Sequence, residues 1–96
     1  MQSQIAIQMD NIETIDYEFD TSFLIAYEAQ LRNYKIFYYN PDDLIIRNDN
    51  VQATGYYIKL NLDQNNYFKY TSDKITLDLK NFNFVFLRQD PPFDMN

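Results

Sequence analysis

The 96-residue sequence contains no cysteine and no histidine, and it has a single glycine, Gly55. Without cysteine and histidine the chain cannot form a disulfide, a Cys/His zinc site, a Cys–His dyad or a Ser-His-Asp triad. One glycine cannot make the glycine-rich loop of a P-loop or of a dinucleotide-binding fold. The reactive groups that remain are carboxylates, lysine, arginine, tyrosine and hydroxyls.

Basic residues are also scarce, since 8 Lys and Arg stand against 14 Asp and Glu and the formal net charge is -6. Binders of nucleic acids and of anionic membranes need clustered basic residues, so we predict no nucleic-acid partner and no membrane partner. No apolar run approaches the ~20 residues that span a bilayer, and residues 1–4 lack the basic start of a signal peptide. With the absence of cysteine, these features predict a cytoplasmic protein.

Aromatic residues are abundant, with 9 Tyr and 8 Phe in the chain. Each buried aromatic side chain removes roughly 150–250 Å² from water, so even a chain of this length can build one hydrophobic core. We therefore predict a single domain over residues 1–96.

The first third of the chain has the pattern of a strand, a long loop and a helix. Ile5–Met9 is a short apolar run, typical of a buried parallel strand. The polar stretch 11–20 predicts a loop that is long for such a connection and is therefore a candidate functional segment. Capping residues at 20–22 predict a helix over 23–33, with Asn33 as its C-terminal stop. Its predicted buried face carries Phe23, Leu24, Tyr27 and Leu31.

The middle of the chain is rich in residues that favour strands. Lys35–Tyr39 predicts a second strand, and Asn40–Leu44 predicts one helical turn with Pro41 at its first position. The segment Ile45–Leu79 alternates in part and is broken by turn residues at 48–50 and 63–66. We therefore predict antiparallel hairpin material there.

The segment Asn81–Arg88 predicts the last strand, because 84–87 is a continuous apolar run typical of a strand covered on both faces. Pro91 and Pro92 then prevent the strand from continuing. The order of elements predicts an α/β fold with a mainly parallel sheet and an antiparallel hairpin insertion.

Charged and polar residues follow two of the predicted parallel strands. In open α/β sheets, ligands bind outside the carboxyl ends of the strands. If the first and last strands are neighbours, Asp10, Ser22, Arg88 and Asp90 share that edge. The helix start near Ser22 and the guanidinium of Arg88 suit carboxylates, whereas Asp10 and Asp90 can accept from an ammonium group. The edge therefore predicts a site for a zwitterion such as an amino acid or a small peptide.

Each of these residues also has a structural interpretation. Asp10 can be a turn residue, Ser22 a helix cap, and Arg88 the partner of Asp90 or Asp94 in a surface ion pair. The two prolines at 91 and 92 are harder to explain in this way. They fix the chain direction directly after a charged pair, as a preorganised site or an interdomain junction requires.

Several segments together resemble one enzyme family, the prokaryotic glutathione synthetases. The opening pattern of that family resembles three segments here: Met9-Asp10, Asp20-Thr21-Ser22-Phe23 and Glu28-Ala29-Gln30. Asp42-Asp43-Leu44 is similar to its short turn. The most specific similarity is the segment Phe86-Leu87-Arg88-Gln89-Asp90-Pro91-Pro92-Phe93-Asp94.

The resemblance implies a Rossmann-like pre-ATP-grasp domain and an enzyme that forms homo-oligomers. That enzyme would join γ-glutamylcysteine to glycine through an acyl phosphate, using ATP with magnesium or manganese. The nucleotide and metal ligands would lie in ATP-grasp domains that these 96 residues do not contain. The chain alone would then hold no catalytic and no metal-binding residues and would be inactive. The implied substrate-binding residues are Asp10, Ser22, Arg88, Asp90, Pro91 and Pro92. Two alternatives are another ATP-grasp peptide ligase and a stand-alone interaction module.

Overall fold

The regular elements alternate between strands and helices at first and then become mostly strands. The computed structural model describes residues 3–9, 12–14, 21–63 and 66–87. In chain order the elements are β1 (Gln4–Gln8), a 3-10 helix (Ile12–Thr14), α1 (Thr21–Leu31), β2 (Lys35–Arg47), β3 (Asn50–Leu60), β4 (Phe68–Tyr70), β5 (Ile75–Asp78), a second 3-10 helix (Leu79–Asn81) and β6 (Phe84–Leu87). The predicted strand–helix–strand beginning is confirmed.

The strands of the described residues form one mixed sheet in the order β4-β3-β2-β1-β6, with β5 also pairing with β3. β1 is parallel to β2 and to β6, whereas β3 is antiparallel to β2, β4 and β5. The α/β class is therefore confirmed, but the sheet is mixed rather than mainly parallel. The reason is that β2 runs on to Arg47 and turns back into β3 through the predicted turn, where Asn48 has φ 51.

Helix α1 packs against β1, β2 and β3. Phe23 and Ala26 are buried, whereas Leu24 and Leu31 are 46% and 63% exposed, so the predicted buried face is wrong for these two leucines. Residues 23–27 are all apolar, and periodicity could not select one side of the helix. No helix of the described ranges is both long enough and apolar enough to cross a membrane.

Asn33 ends α1 as predicted. Its φ of 70 lies in the left-handed region, which asparagine tolerates better than most residues. The Asn33 N–H donates to Gln30 O at 3.0 Å, and the Tyr34 N–H donates to Ala29 O at 3.0 Å. This pair of bonds satisfies carbonyls at the end of the helix, as in a Schellman motif.

Two hydrophobic clusters lie on opposite faces of the sheet. The cluster under α1 includes Ile5, Ile7, Ile36, Tyr38, Ile58 and Leu60. The other cluster contains Ala6, Phe37, Tyr39 and Ala53. Alternate residues of β1 and β2 thus enter opposite clusters, because successive side chains of a strand point to opposite faces.

Strand β6 pairs with β1 alone among the described strands. Phe84 is 58% exposed and Val85 is 39% exposed, so the prediction that both faces of this strand are covered is wrong for these residues. The physical reason is position, since β6 is the edge strand and α1 packs on β1, β2 and β3.

Candidate functional site

The parallel pairing of β1 with β2 and with β6 ends at one level of the sheet. Gln8 of β1 is in register with Tyr39 of β2 and with Leu87 of β6. The Met9 N–H also donates to Tyr39 O at 3.2 Å, so the pairing of β1 with β2 continues to the end of β1. The first and last strands are therefore neighbours, as the predicted site requires, and their ends form the edge at which α/β sheets bind ligands.

Ser22 is the one predicted site residue within the described ranges. The others lie outside the described residues, and their roles stay predictions: Asp10, Arg88, Asp90, Pro91 and Pro92. The residue before Arg88 is Leu87, which is in register with Gln8. The sheet therefore supports the predicted neighbourhood of the two segments without locating these side chains.

The side chain of Ser22 is fully buried, with 0% exposure, near the start of the 11-residue helix α1. Its Oγ has no hydrogen-bond partner in the described part of the chain, so it does not act there as the helix cap that the structural interpretation assumed. A buried hydroxyl without a partner costs about 1–3 kcal/mol. It lies where the free N–H groups and the dipole of the helix favour an anion.

Strand β2 bulges at the edge where the parallel strands end. Tyr39 pairs with Gly55 and the register shifts before Leu44, so residues 40–43 face a single residue of β3. The predicted helical turn over Asn40–Leu44 is therefore wrong. The chain leaves the ladder for four residues and then resumes the same strand.

Local chemistry explains why the bulge forms here. Pro41 has no N–H to give to a ladder, and Asn40 Oδ1 accepts the Asp42 N–H at 3.1 Å. On the opposite strand, a Cβ at Gly55 would lie 2.1 Å from Tyr38 O. Only glycine permits this approach of β3 to β2.

The bulge borders a cleft of about 330 Å³. Its lining consists of two carboxylates, four tyrosines and three further residues: Asp42, Asp43, Tyr38, Tyr39, Tyr56, Tyr70, Asn40, Thr54 and Gly55. The ion pairs within the described ranges are Arg32–Glu28 and Lys80–Asp78, and neither involves Asp42 or Asp43. The cleft therefore combines negative charge that no described cation neutralises with aromatic rings.

The tyrosines of the cleft are fixed by one another and by the 3-10 helix. The rings of Tyr56 and Tyr70 lie 4.3 Å apart between centroids. The Tyr70 hydroxyl donates to Glu13 Oε2 at 3.0 Å, and the Ile12 N–H donates to Tyr38 Oη at 3.1 Å. Burial, followed by the bond to Glu13, raises the pKa of Tyr70. The predicted functional loop 11–20 thus contacts the cleft through its described residues.

Tyr39 also borders the cleft, but its side chain is 0% exposed and belongs to the cluster on the opposite face of the sheet from Tyr38. Its hydroxyl has no hydrogen-bond partner in the described ranges. Burial raises the pKa of Tyr39 to about 12, so the group stays neutral at physiological pH.

Sequence reasoning did not assign the cleft residues Asp43, Tyr56 and Tyr70 to the site. One signal could have found the cleft, because an isolated glycine in a strand pattern marks a bulge or a close approach of backbones. Gly55 lies in such a pattern. Over the residues described, no group of three or more acidic side chains is placed to hold a metal ion.

The fold defines an α/β domain in which β1 is parallel to β2 and β6, and this parallel pairing ends along one edge of a mixed sheet. The family model of the prokaryotic glutathione synthetase N-terminal domain matches residues 3–96, and the chain belongs to this family. It is 40% identical over 96 residues to glutathione synthetase of Mesorhizobium japonicum, and the alignment covers 100% of this chain and 30% of that protein. It is 38% identical over 91 residues to glutathione synthetase of Agrobacterium fabrum, and the alignment covers 95% of this chain and 28% of that protein. The chain thus spans about 30% of the length of these relatives.

Proposed function

We propose that this chain is the substrate-side domain of an ATP-dependent ligase that joins γ-glutamylcysteine to glycine to make glutathione. The family and the names of the relatives support the proposal. The observation that carries it is the shared edge of β1, β2 and β6, where Gln8, Tyr39 and Leu87 lie in register beside an acidic, tyrosine-lined cleft. We propose the Rossmann-like pre-ATP-grasp type for the fold.

The proposed substrate, γ-glutamylcysteine, carries both an ammonium group and carboxylates. Arg88 would hold a carboxylate with its forked N–H donors, and the N-terminus of α1 with the Ser22 hydroxyl would bind a second anionic group. Asp10 and Asp90 would accept hydrogen bonds from an N–H group of the same substrate. Pro91 and Pro92 would keep the chain rigid behind Arg88. Each role is binding and positioning, with no proton transfer.

In the part of this chain that the structure describes, the residues do not fit a nucleotide or metal site. Its one glycine lies within β3 against Tyr38 O, and the described carboxylates form no metal-binding group. We therefore propose that ATP and magnesium, or manganese, bind in the remaining part of the synthetase. The acyl phosphate would form there, and the 96 residues alone would have no synthetase activity. Homo-oligomers of the complete protein and a cytoplasmic location are part of the same proposal.

The test is an assay of the complete synthetase with γ-glutamylcysteine, glycine and ATP. We expect ADP release that depends on both γ-glutamylcysteine and glycine, and none from the 96-residue chain alone. Turnover with another acceptor but not with glycine would show a different ATP-grasp peptide ligase. Activity of the 96-residue chain would contradict the division of roles between this chain and the rest of the protein.

A substitution at Arg88 tests its proposed role in the same assay. Arg88→Lys replaces a planar fork with a point charge, so we expect a higher KM for γ-glutamylcysteine. Arg32→Lys is the matched control, because Arg32 is exposed directly after the end of α1 and pairs with Glu28 at 3.0 Å. A thermal-shift comparison separates a loss of folding from a loss of binding. An unchanged KM in Arg88→Lys would remove this residue from the site.

The stand-alone interaction module is the second candidate, and one observation favours it. Phe84 and Val85 on the edge strand β6 expose apolar surface, 58% and 39% respectively. A module of this kind would bind a protein partner without ATP. Light scattering of the 96-residue chain, with Phe84→Ser as the variant, would then show a defined complex that the substitution dissolves. A monomer at all concentrations together with ADP release by the complete protein would exclude this candidate.

A further inference from the structure

The cleft at the bulge of β2 contains chemistry that the proposed roles of Ser22 and Arg88 do not use. Its volume of about 330 Å³ suits part of a small ligand rather than a whole cofactor. It opens between Asp42 and Asp43 of the bulge, Tyr38 of β2, and Tyr56 and Tyr70 of the antiparallel strands. It lies next to the carboxyl end of β1, because Tyr39 is the last residue of β2 that pairs with β1.

The charge of the cleft points to a cation. Asp42 is exposed and Asp43 is half-buried, and neither forms an ion pair with a described lysine or arginine. Glu13 approaches the same group of tyrosines through its bond to Tyr70. Two unneutralised carboxylates at the mouth of a concave site attract a positive group and favour its binding.

The rings decide which kind of cation fits. The rings of Tyr56 and Tyr70 are tilted by 38° with centroids 4.3 Å apart, and Phe68 packs edge-on against Tyr70 with centroids at 5.3 Å. Aromatic faces attract ammonium and guanidinium groups through the ring quadrupole. Carboxylates beside such faces are the arrangement that recognises an organic ammonium group.

The positions of the rings are fixed before any ligand binds. The Tyr70 hydroxyl is held by Glu13, and the Tyr38 hydroxyl accepts the Ile12 N–H at 3.1 Å. A site that is already ordered loses less conformational entropy on binding.

We propose that this cleft binds a primary ammonium group and that the group is the α-ammonium of γ-glutamylcysteine. The identity of the substrate rests on the proposed function, whereas the binding of an ammonium group does not. Asp42 and Asp43 accept the N–H donors, and the rings of Tyr56 and Tyr70 cover the apolar side of the group. Arg88 then remains available for a carboxylate of the substrate.

The first experiment uses the unmodified chain and two ligands that differ in one group. The chemical shifts of the tyrosine rings are followed while γ-glutamylcysteine or its desamino analogue, glutarylcysteine, is added. We expect γ-glutamylcysteine to shift the signals of Tyr56 and Tyr70, and the analogue to bind about tenfold more weakly or not at all. Equal binding of the two ligands would overturn the proposal. Because no variant is needed, misfolding cannot obscure the result.

The second experiment removes the charge of the cleft. Asp42→Asn and Asp43→Asn should each weaken binding of γ-glutamylcysteine several-fold and leave binding of the analogue unchanged. Asp49→Asn is the matched control, since Asp49 is exposed in the turn between β2 and β3 and its loss changes the net charge equally. If all three variants lost the same amount of binding, the cause would be the net charge of the chain rather than the cleft, and the proposed site would be overturned.

Methylammonium and magnesium chloride complete the design. Ring shifts with methylammonium that disappear in Asp43→Asn, without any shift from γ-glutamylcysteine, would retain the ammonium site and reject the substrate. Ring shifts with magnesium but not with methylammonium would overturn the ammonium site. The assay for ADP release is independent of all these titrations, so failure of the cleft and failure of the ligase proposal are distinguishable.

Discussion

The side-chain amide of Gln30 on α1 binds both backbone polar groups of Leu60 on β3. Gln30 Nε2 donates to Leu60 O at 2.8 Å, and the Leu60 N–H donates to Gln30 Oε1 at 2.8 Å. Ile58 pairs with Ile36 near the start of β2, so the position opposite Leu60 precedes that strand. The Gln30 amide therefore takes the place of a missing ladder partner and attaches the helix to the sheet.

Replacement of Gln30 should destabilise the domain for this reason. Gln30→Ala leaves two backbone groups of Leu60 without their partner, and we expect the free energy of unfolding to fall by about 1–3 kcal/mol. Urea unfolding measures the change. Glu28→Gln is the control, because its pair with Arg32 is exposed and should contribute no more than about 0.5 kcal/mol. Equal effects of the two substitutions would contradict the role given to Gln30.

Gly55 should tolerate no side chain. A Cβ at this position would lie 2.1 Å from Tyr38 O, and a backbone atom cannot move aside as the end of a side chain can. We expect Gly55→Ala to lower the free energy of unfolding by about 2–3 kcal/mol or more, as overpacking does. Thr54→Ala, whose hydroxyl bonds to that of Thr76 at 2.7 Å, should lose less than about 1 kcal/mol. Wild-type stability in Gly55→Ala would mean that β2 and β3 are not held this closely.

Tyr39 should make the domain lose stability at high pH. Its pKa is raised by burial from 10.0 to about 12, so an unfolded chain releases this proton near pH 10 and the folded chain near pH 12. Between these values the folded state binds more protons. The free energy of unfolding therefore falls as the pH rises, by up to about 1.4 kcal/mol per pH unit for this group. Below pH 10 this group causes no change.

Tyr39→Phe tests that assignment. The substitution removes the titrating group and also a buried hydroxyl without a partner, so the variant should be at least as stable as the wild type at pH 7. Its stability should decline less steeply above pH 10. The decline should not vanish, because burial also raises the pKa of Tyr38 and of Tyr57. The free energy of unfolding is measured with denaturant from pH 7 to 11.5. An equal decline with pH in the wild type and in Tyr39→Phe would refute the prediction.

Substitution of Ser22 should weaken substrate binding without lowering the stability of the domain. Ser22→Ala removes another buried hydroxyl without a described partner, so the melting temperature of the chain should stay unchanged or rise. In the complete synthetase we expect a higher KM for γ-glutamylcysteine. Thr21→Ala, at the preceding exposed position, is the control and should leave the KM unchanged. A wild-type KM in Ser22→Ala would restrict this residue to a packing role.

Local sequence signals predicted the elements well where one short-range interaction decides the conformation. Asn33 was predicted to stop the helix, and its left-handed φ of 70 confirms it. The turn at 63–66 was also predicted, and the Asn66 N–H donates to Asp63 O at 3.0 Å. The family itself followed from contiguous motifs, above all the segment 86–94, and the match over residues 3–96 confirms it.

The predictions that are wrong concern residues whose conformation or burial depends on a distant part of the chain. Asn40 and Pro41 have the same local chemistry at a helix start and at a strand bulge, and only the pairing of β2 with β3 across Gly55 selects the bulge. The apolar residues 23–27 could face the sheet in more than one way, and the positions of β1, β2 and β3 decide which of them are buried.

The sequence by itself determined the class of fold, the family and the places where helix α1 and the hairpin turn end, because these depend on residue types within a few positions. Only the tertiary structure decided the mixed sheet, the exposure of Phe84 and the cleft of Asp42, Asp43 and the tyrosines. The cleft depends on strand register, which places residues from 38 to 70 side by side. Register is a property of pairing between distant segments, and no single segment encodes it.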